Sequence, residues 1–470
     1  MMQVFDTIAA VSTPRGKGGI AVIRISGPEA VAVGEKVFFP KNGRALSLAE
    51  HGRVLYGGIR TTEPDGTTTE VDDGMCVVFR APRSFTGEDT VEISCHGGML
   101  VTETVLAAVF SAGARPAMAG EFTRRAFVSG RMSLSQAEAL GVLLEATNAR
   151  QLALAHAGVK GVLSDKIDVL YATLNETLSS IYARIDFPDE DLGHLDEAQI
   201  LQSLTSLYEE TVKLSDTYRT GRTVNEGIRT VICGRTNAGK SSLYNWILGR
   251  EAAIVTDIEG TTRDLLEETV PFGAVTLRLC DTAGLRNTGD RVESIGVARA
   301  REAMQRAELI FAVFDGTRLP DEEDVVLIRE LAGIEAAVIP LLNKSDLATD
   351  HAQAVWQKAL ADGGLSKALV ISVRDESGME ALQDEINHRF TDGSLDLRYD
   401  AIVADARQYA ALTKAGELLQ SAADGLRSGF ALDSACIDAE QAMQALGEIN
   451  GRNVREDIVS EIFSKFCVGK

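Results

Sequence analysis

Residues 234–241, Gly234-Arg235-Thr236-Asn237-Ala238-Gly239-Lys240-Ser241, fit G-x-x-x-x-G-K-[ST], the pattern of a phosphate-cradling loop. The apolar run Thr230-Val231-Ile232-Cys233 before it reads as a buried strand, and Ser242 to Leu248 after it as a helix. The strand–loop–helix context matters because unpaired N–H groups at a helix N-terminus bind phosphate oxygens. In such a loop Lys240 reaches the β- and γ-phosphates and the Ser241 hydroxyl ligands Mg²⁺. By itself the match could be a Gly-rich turn, so the downstream segments decide.

Those segments come in the order a guanine-nucleotide switch needs. Gly260-Thr261-Thr262-Arg263-Asp264 is polar, and Thr262 suits a second Mg²⁺ ligand that closes on a γ-phosphate. Val275, Leu277 and Leu279 alternate along a strand that ends in Asp281-Thr282-Ala283-Gly284. Asp281 there orients water around Mg²⁺, and Gly284 lets its N–H approach the γ-phosphate. Leu309 to Phe314 is another buried strand, and Val338 to Leu342 runs into Asn343-Lys344-Ser345-Asp346. That motif selects the base, since a carboxylate accepts from both the ring N–H and the exocyclic amine of guanine. Leu369 to Ser372 leads into Val373-Arg374, whose backbone can contact the base oxygen. The expected GTP contacts are Asn237, Ala238, Gly239, Lys240, Ser241, Ser242, Thr256, Thr261, Thr262, Asp281, Thr282, Ala283, Gly284, Asn343, Lys344, Asp346, Ser372, Val373 and Arg374. Residues 222–392 are thus expected to form an α/β GTPase domain with a doubly wound sheet.

Hydrolysis needs a group that holds the attacking water. Ras-like proteins place Gln directly after D-x-x-G, but Leu285 stands there and cannot do so. Asp290 and Glu293 are the acidic candidates in the following segment. No arginine finger is evident, so another cation could neutralise charge between the phosphates. Asn237 offers a side-chain oxygen for it, and the segment from Thr256 through Ile258 to Thr261 offers carbonyls.

The length of 470 residues suggests about three domains. Hydrophobic and charged contents of 45% and 24% are those of a globular protein. The net charge of −21 repels phosphate, so a nucleic-acid partner has to be met by a local basic patch. No apolar run approaches the roughly 20 residues of a membrane span, and the N-terminus lacks signal-peptide character. The six cysteines are scattered with no C-x-x-C pair, which fits a reducing cytoplasm.

Around the GTPase, residues 1–120 read as an α+β domain. Ile20 to Ile25 and Thr90 to Cys95 alternate with period 2, Met75 to Phe79 is a third strand, and Met99 to Ser111 has helical spacing. Arg24 and Glu92 fall in the polar phase of their strands, and His96 reads as a structural hydrogen-bonding group. Residues 121–221 are helical, with Ser135 and Glu138 as a helix start and Ile167, Leu170, Leu174, Leu178 and Ile181 as an apolar stripe. Arg115, Arg124, Arg125 and Arg131 form a basic cluster that could face RNA or merely balance the acidic surface. Residues 393–470 contain three further helices of similar character. Both helical parts are expected to pack as one discontinuous domain with the GTPase inserted between them.

The whole pattern resembles the MnmE/TrmE family of tRNA-modification GTPases. The resemblance rests on Ser84-Phe85-Thr86-Gly87-Glu88-Asp89, His96-Gly97-Gly98, Gly120-Glu121-Phe122, the inserted GTPase and the Phe466-Cys467-Val468-Gly469-Lys470 ending. It implies a homodimer through an N-terminal folate-binding domain, a bound formyl-tetrahydrofolate, and a flavoprotein partner, MnmG, in a heterotetramer. Together these install an aminomethyl-type group on the wobble uridine of certain tRNAs. The implied folate contacts are Arg24, Glu92, Arg131 and Lys470, with Arg131 where lysine is common. The implied K⁺ ligands are Asn237, Thr256, Ile258 and Thr261, and the Mg²⁺ ligands Ser241 and Thr262. The family's catalytic glutamate falls on Glu293, and its terminal cysteine on Cys467, a possible reactive thiol. Thr236 and Val373 stand where proline and alanine are usual. The competing reading is a GTP-dependent RNA-binding switch in ribosome assembly.

Overall fold

A computed structural model describes residues 6–14, 16–62, 67–187, 195–249, 267–273, 275–280, 302–391, 393–429 and 431–469. The chain forms two compact units. One comprises Met1–Leu144, Gly158–Ser203 and Ser421–Lys470, the other Glu145–Ala157 and Leu204–Gln420.

In the first unit, β1 (Ile8–Val11), β2 (Ile20–Ser26), β3 (Phe38–Pro40), β4 (Val54–Thr62), β5 (Thr68–Phe79), β6 (Thr90–His96) and β7 (Arg115–Pro116) make one sheet in the order β3-β4-β5-β6-β2-β1-β7. All neighbours are antiparallel except β1 and β7. Period-2 alternation sends Ile23, Ile25, Val91, Ile93, Cys76 and Val78 to one face. They pack there with Val33 and Val37 of the helix Ala30–Val37 and with Val105 and Val109 of the helix Met99–Ser111. The opposite phase carries Arg24 and Glu92, directly paired in register, and the exposed Tyr56 and Met75, also paired.

The apolar stripe expected on Val162–Asp186 is real: Ile167, Leu170, Leu174, Leu178 and Ile181 are all buried. That helix packs against Leu432–Asn450, the sequence-distant contact expected of a discontinuous helical domain. Asn450 fixes the crossing by donating to Ser164 O at 3.0 Å and Asp168 Oδ1 at 2.9 Å. One expectation is corrected. The helix Leu134–Glu145 begins before Ser135, and its reciprocal cap is Ser133 with Gln136. Gln136 N donates to Ser133 Oγ at 3.2 Å, and Ser133 N to Gln136 Oε1 at 2.8 Å. Ser135 lies inside the first turn and donates to Asn450 Oδ1.

The second unit contains β8 (Ile228–Cys233), β9 (Glu267–Phe272), β10 (Val275–Cys280), β11 (Leu309–Asp315), β12 (Ala337–Asn343) and β13 (Leu369–Val370), ordered β13-β12-β11-β8-β10-β9. Only the β9–β10 pair is antiparallel. Helices cover both faces, and β11 shows why its run is apolar throughout. Leu309, Phe311 and Val313 meet the helices Lys240–Gly249 and Met379–Phe390, while Ile310, Ala312 and Phe314 meet Glu322–Ala332 and Asp350–Asp362. This is the doubly wound arrangement. Residues 145–157, expected with the first helical part, pack in this unit: Asn148 Nδ2 donates to Thr276 Oγ1 at 2.9 Å and Gln151 Nε2 to Asn225 O at 2.9 Å. Among the described residues no helix is long and apolar enough to cross a membrane.

His96, at the end of β6, is held as a hydrogen-bonding group. Its Nδ1 lies 2.7 Å from Asp72 Oδ1, and its backbone N donates to Asp72 Oδ2 at 2.8 Å. The hydrogen bond and charge of Asp72 push the imidazole above its ordinary value. A raised folded-state value contributes stability below the unfolded histidine pKa, and that contribution is lost as pH rises through the folded value. The His96 ring protons should therefore titrate by NMR with a midpoint above about 6.5, and Asp72→Asn should return it toward that figure. An unshifted wild-type midpoint would deny the pairing.

Candidate functional site

The end of β8 turns into the phosphate loop at Gly234, whose φ is +139°. A Cβ there would overlap Val313 O of β11, so the loop can leave the sheet only through glycine. Asn237 has φ +64°, and Gly239 has φ +102° as the helix Lys240–Gly249 begins. Leu243 N donates to Gly239 O at 2.9 Å and Ala238 N to Arg235 O at 3.4 Å; the first N–H groups of a helix have no partner within it and suit phosphate oxygens. Lys240 is half-buried and donates to Arg235 O at 2.7 Å; burial holds its ammonium below the ordinary lysine value. Burial likewise pushes the neighbouring Cys233 thiol up to about 12, so it stays protonated and inert. Ser241 and Ser242 are exposed on the first turn.

The base-selecting segment is tied directly to that loop. Asn343, 3% exposed at the end of β12, donates from Nδ2 to Ala238 O at 2.9 Å and accepts at Oδ1 from Val373 N at 3.2 Å. One buried amide thus braces the phosphate loop against the loop after β13. Lys344, with φ +64°, pairs with Asp315 at 2.6 Å. Asp346 Oδ1 accepts from Ser372 Oγ at 2.9 Å, and Arg374 Nη1 stands 3.9 Å from its other oxygen. Asn237, Ala238, Gly239, Lys240, Ser241, Ser242, Asn343, Lys344, Asp346, Ser372, Val373 and Arg374 are therefore grouped at the C-terminal ends of β8, β12 and β13 and the loops that follow. Ligands of open α/β sheets bind at those ends. Asp315 was missed from sequence because it ends a strand outside any motif, 29 residues from Lys344. Thr256, Ile258, Thr261, Thr262, Asp281, Thr282, Ala283, Gly284, Leu285, Asp290 and Glu293 lie outside the described residues, as does Lys470.

In the first unit, Arg24 and Glu92 face each other across β2 and β6, with Nε 2.8 Å from Oε1. The guanidinium lies 5.4 Å from the Phe85 ring centroid and 5.7 Å from that of Phe122. Arg131 is exposed at the end of the helix Glu121–Val128. Its aliphatic stem lies beside Gly87, where a Cβ would come within 3.2 Å of Arg131 Cγ. The chain's end also comes here: Ala119 bridges to Val468, and Ser12 Oγ donates to Gly469 O at 3.1 Å. Cys467, one residue earlier, is exposed. Arg24 and Glu92 thus lie on the sheet face where Phe85 and Phe122 pack over Ile8 and Ala10, and Arg131 stands beside Gly87 of the Phe85 turn.

The basic cluster has a different meaning in three dimensions. Arg125 is 3% exposed and pairs with Asp6, Glu88 and Glu121. Arg115 pairs with Asp6 and Glu121, and Arg124 with Glu456. Burial works to raise the Glu121 carboxyl, but bonds from Arg115, Met118 N and Arg125 more than offset it and hold it ionised. Of the four arginines only Arg131 is without an ion pair among the described residues, so the group balances acids instead of forming an RNA-facing patch.

Comparison with known proteins gives the family. The MnmE helical domain family matches residues 134–467, and the GTP-binding protein TrmE N-terminus family residues 7–131. The chain is 41% identical over 473 residues to the tRNA modification GTPase MnmE of Heliobacterium modesticaldum, covering all of both chains. It is 39% identical over 466 residues to that of Bacillus subtilis, covering 99% of this chain and 100% of the relative. The Clostridioides difficile protein of the same name is 38% identical over 469 residues, again end to end.

Proposed function

We infer the function from kinship: this chain belongs to the MnmE family of tRNA modification GTPases, and it binds and hydrolyses GTP in the service of tRNA modification. The observation that supports the reading is the Asn343 brace, which ties the phosphate loop to the loop after β13, the two segments expected to hold the phosphates and the base. The finer reading is that it acts with an MnmG-like flavoprotein on the wobble uridine of certain tRNAs, adding an aminomethyl-type group from a folate one-carbon donor in the cytoplasm.

The donor set suits the ions such a site needs. Ser241 with Thr262 supplies hydroxyl oxygens to Mg²⁺, and Asn237 with Thr256, Ile258 and Thr261 supplies oxygens to K⁺; both are hard cations that take oxygen ligands. When bound, they neutralise charge that develops on the phosphates. Lys240 holds the β- and γ-phosphates, Asp346 the guanine, and Glu293 positions the attacking water. Hydrolysis should run about tenfold or more faster in potassium than in sodium buffer, and Glu293→Ala should lower turnover about 10²-fold while GTP affinity holds. Equal rates in both salts would remove the monovalent ion from the reading.

Formyl-tetrahydrofolate fits Arg24, Glu92, Arg131 and Lys470 by donor chemistry. A carboxylate suits adjacent N–H donors of a pterin, and cations suit the glutamyl carboxylates. The bound folate supplies the one-carbon unit; Glu92 and Arg24 orient it, and Cys467 is a nearby thiol. Homodimerisation is proposed through the first unit, whose sheet leaves Tyr56 and Met75 exposed side by side. Nucleoside mass spectrometry of tRNA from a strain lacking the protein should show loss of the aminomethyl-type wobble uridine. Normal wobble uridines there would favour the ribosome-assembly switch.

A further inference from the structure

Arg24 owes its place to two aromatic rings that arrive on separate segments. Phe85 belongs to the turn 84–89 between β5 and β6, and Phe122 to the helix Glu121–Val128. The Arg125 guanidinium, three residues beyond Phe122 on the same helix, ties that helix to the Phe85 turn. Arg125 Nη1 donates to Glu88 Oε2 at 3.0 Å and to Asp6 O at 2.9 Å, and Nη2 to Asp6 Oδ1 at 2.9 Å and Glu121 Oε1 at 3.0 Å. Glu88 Oε2 also accepts from Ser26 Oγ at 2.8 Å, and Ser26 is two residues beyond Arg24 on β2. The turn is pinned a second time where Ser129 Oγ donates to Thr86 O at 2.7 Å.

The arrangement is costly for a scaffold. Two guanidinium groups face three carboxylates, with Arg125 and Glu121 buried at the centre and Asp6 and Arg115 reaching solvent, and Arg125 Nε is buried with no partner. Well-packed apolar side chains often serve stability as well as a buried ion cluster does, whereas charged groups at fixed spacing specify one relative placement of the elements they join. Here the elements joined are the ones that carry Phe85, Phe122 and, through Ser26, the strand of Arg24.

We propose that Arg125 is the positioning residue of the folate site: it fixes the Phe85 turn and the Phe122 helix at the separation that holds Arg24 against Glu92. The inference rests on the reading of Arg24 and Glu92 as folate contacts. Arg125 itself touches neither residue. Its effect is through the two rings, and a point charge without a planar fork cannot reproduce it.

The test uses full-length protein carrying Arg125→Lys, with Ser26→Ala as a milder variant that weakens the Glu88 arm without emptying a buried charge. Hydrogen exchange reads the lock without any ligand, and calorimetry reads formyl-tetrahydrofolate affinity. In Arg125→Lys, exchange over residues 84–89 and 118–125 should rise about tenfold while β4 and β5 stay protected. Folate affinity should fall about tenfold, and GTP affinity should hold. Ser26→Ala should show the same pattern at about threefold, and it decides the matter if Arg125→Lys does not fold. Unchanged folate affinity in a folded variant, or exchange that rises over the whole unit, overturns the proposal. Wild-type protein that fails to bind folate defeats the folate reading instead, and is told apart by the exchange pattern.

Discussion

Asp346→Asn is expected to weaken GTP binding about 10³-fold and to improve binding of xanthosine triphosphate. Ser372 Oγ donates to Asp346 Oδ1 at 2.9 Å, which fixes the carboxylate and leaves the second oxygen for the two adjacent N–H donors of guanine. An asparagine keeps its carbonyl toward the Ser372 donor, since that is the only acceptor it has. Its amide N–H₂ then replaces the oxygen that faced the base. Two donors confront each other, and the lost bonds are charge-assisted ones. Xanthine carries a carbonyl where guanine carries the amine, so the same amide finds an acceptor there. Titration calorimetry with both nucleotides reads the exchange of preference. GTP affinity within tenfold of wild type would show that another residue reads the base.

Much of this was legible in sequence where the signal is local. The phosphate loop is eight consecutive residues, and the apolar runs Val231–Cys233 in β8, Leu309–Phe314 in β11 and Ala337–Leu342 in β12 arise because those strands are covered on both faces. β2 and β6 alternate because one face of each packs into the main core under the helices Ala30–Val37 and Met99–Ser111, while the other carries the Arg24–Glu92 pair. Elements that escaped notice break those patterns for physical reasons. β4 carries Gly57 where the backbone of Phe39 on β3 comes too close for any Cβ, so its alternation is interrupted. β1 has four residues and β7 has two, too short for a period to declare itself. β9 contains Pro271, tolerated because it lies at the sheet edge.

The site residues divide along the same line. Lys240, Asn343 and Asp346 stand in motifs, yet the motif does not disclose that the Asn343 side chain spends both its functions inside the protein. The Arg125 cluster was invisible because it is non-local: Asp6 and Arg125 are 119 residues apart. A run of arginines in an acidic chain reads equally as a nucleic-acid patch or as charge balance until the carboxylates are found. The helix start at Ser133 was misread for a different reason. Ser133 and Ser135 are both acceptable caps by type, and only the position of Gln136 separates them.

Gly239→Ala should lower GTP affinity about 10³-fold, through the brace and not through any lost ligand contact. Residue 239 has φ +102°, a conformation that L side chains rarely adopt and that costs on the order of 1–2 kcal/mol for alanine. The added Cβ would also overlap Asn343 Nδ2, the atom that donates to Ala238 O. Asn343 cannot swing aside, because its side chain is buried and its Oδ1 accepts from Val373 N. The phosphate loop therefore shifts off the base loop, and two buried hydrogen bonds fail together at roughly 1–3 kcal/mol. Asn343→Ala separates the two causes. It removes the brace and the overlap at once, and should weaken GTP binding by roughly 10- to 100-fold. In the Gly239→Ala/Asn343→Ala double variant the alanine methyl meets open space, so the two losses should fall short of additive by more than about 1 kcal/mol. Strict additivity would mean that backbone strain at residue 239 acts alone and that the two loops are held together by something other than Asn343.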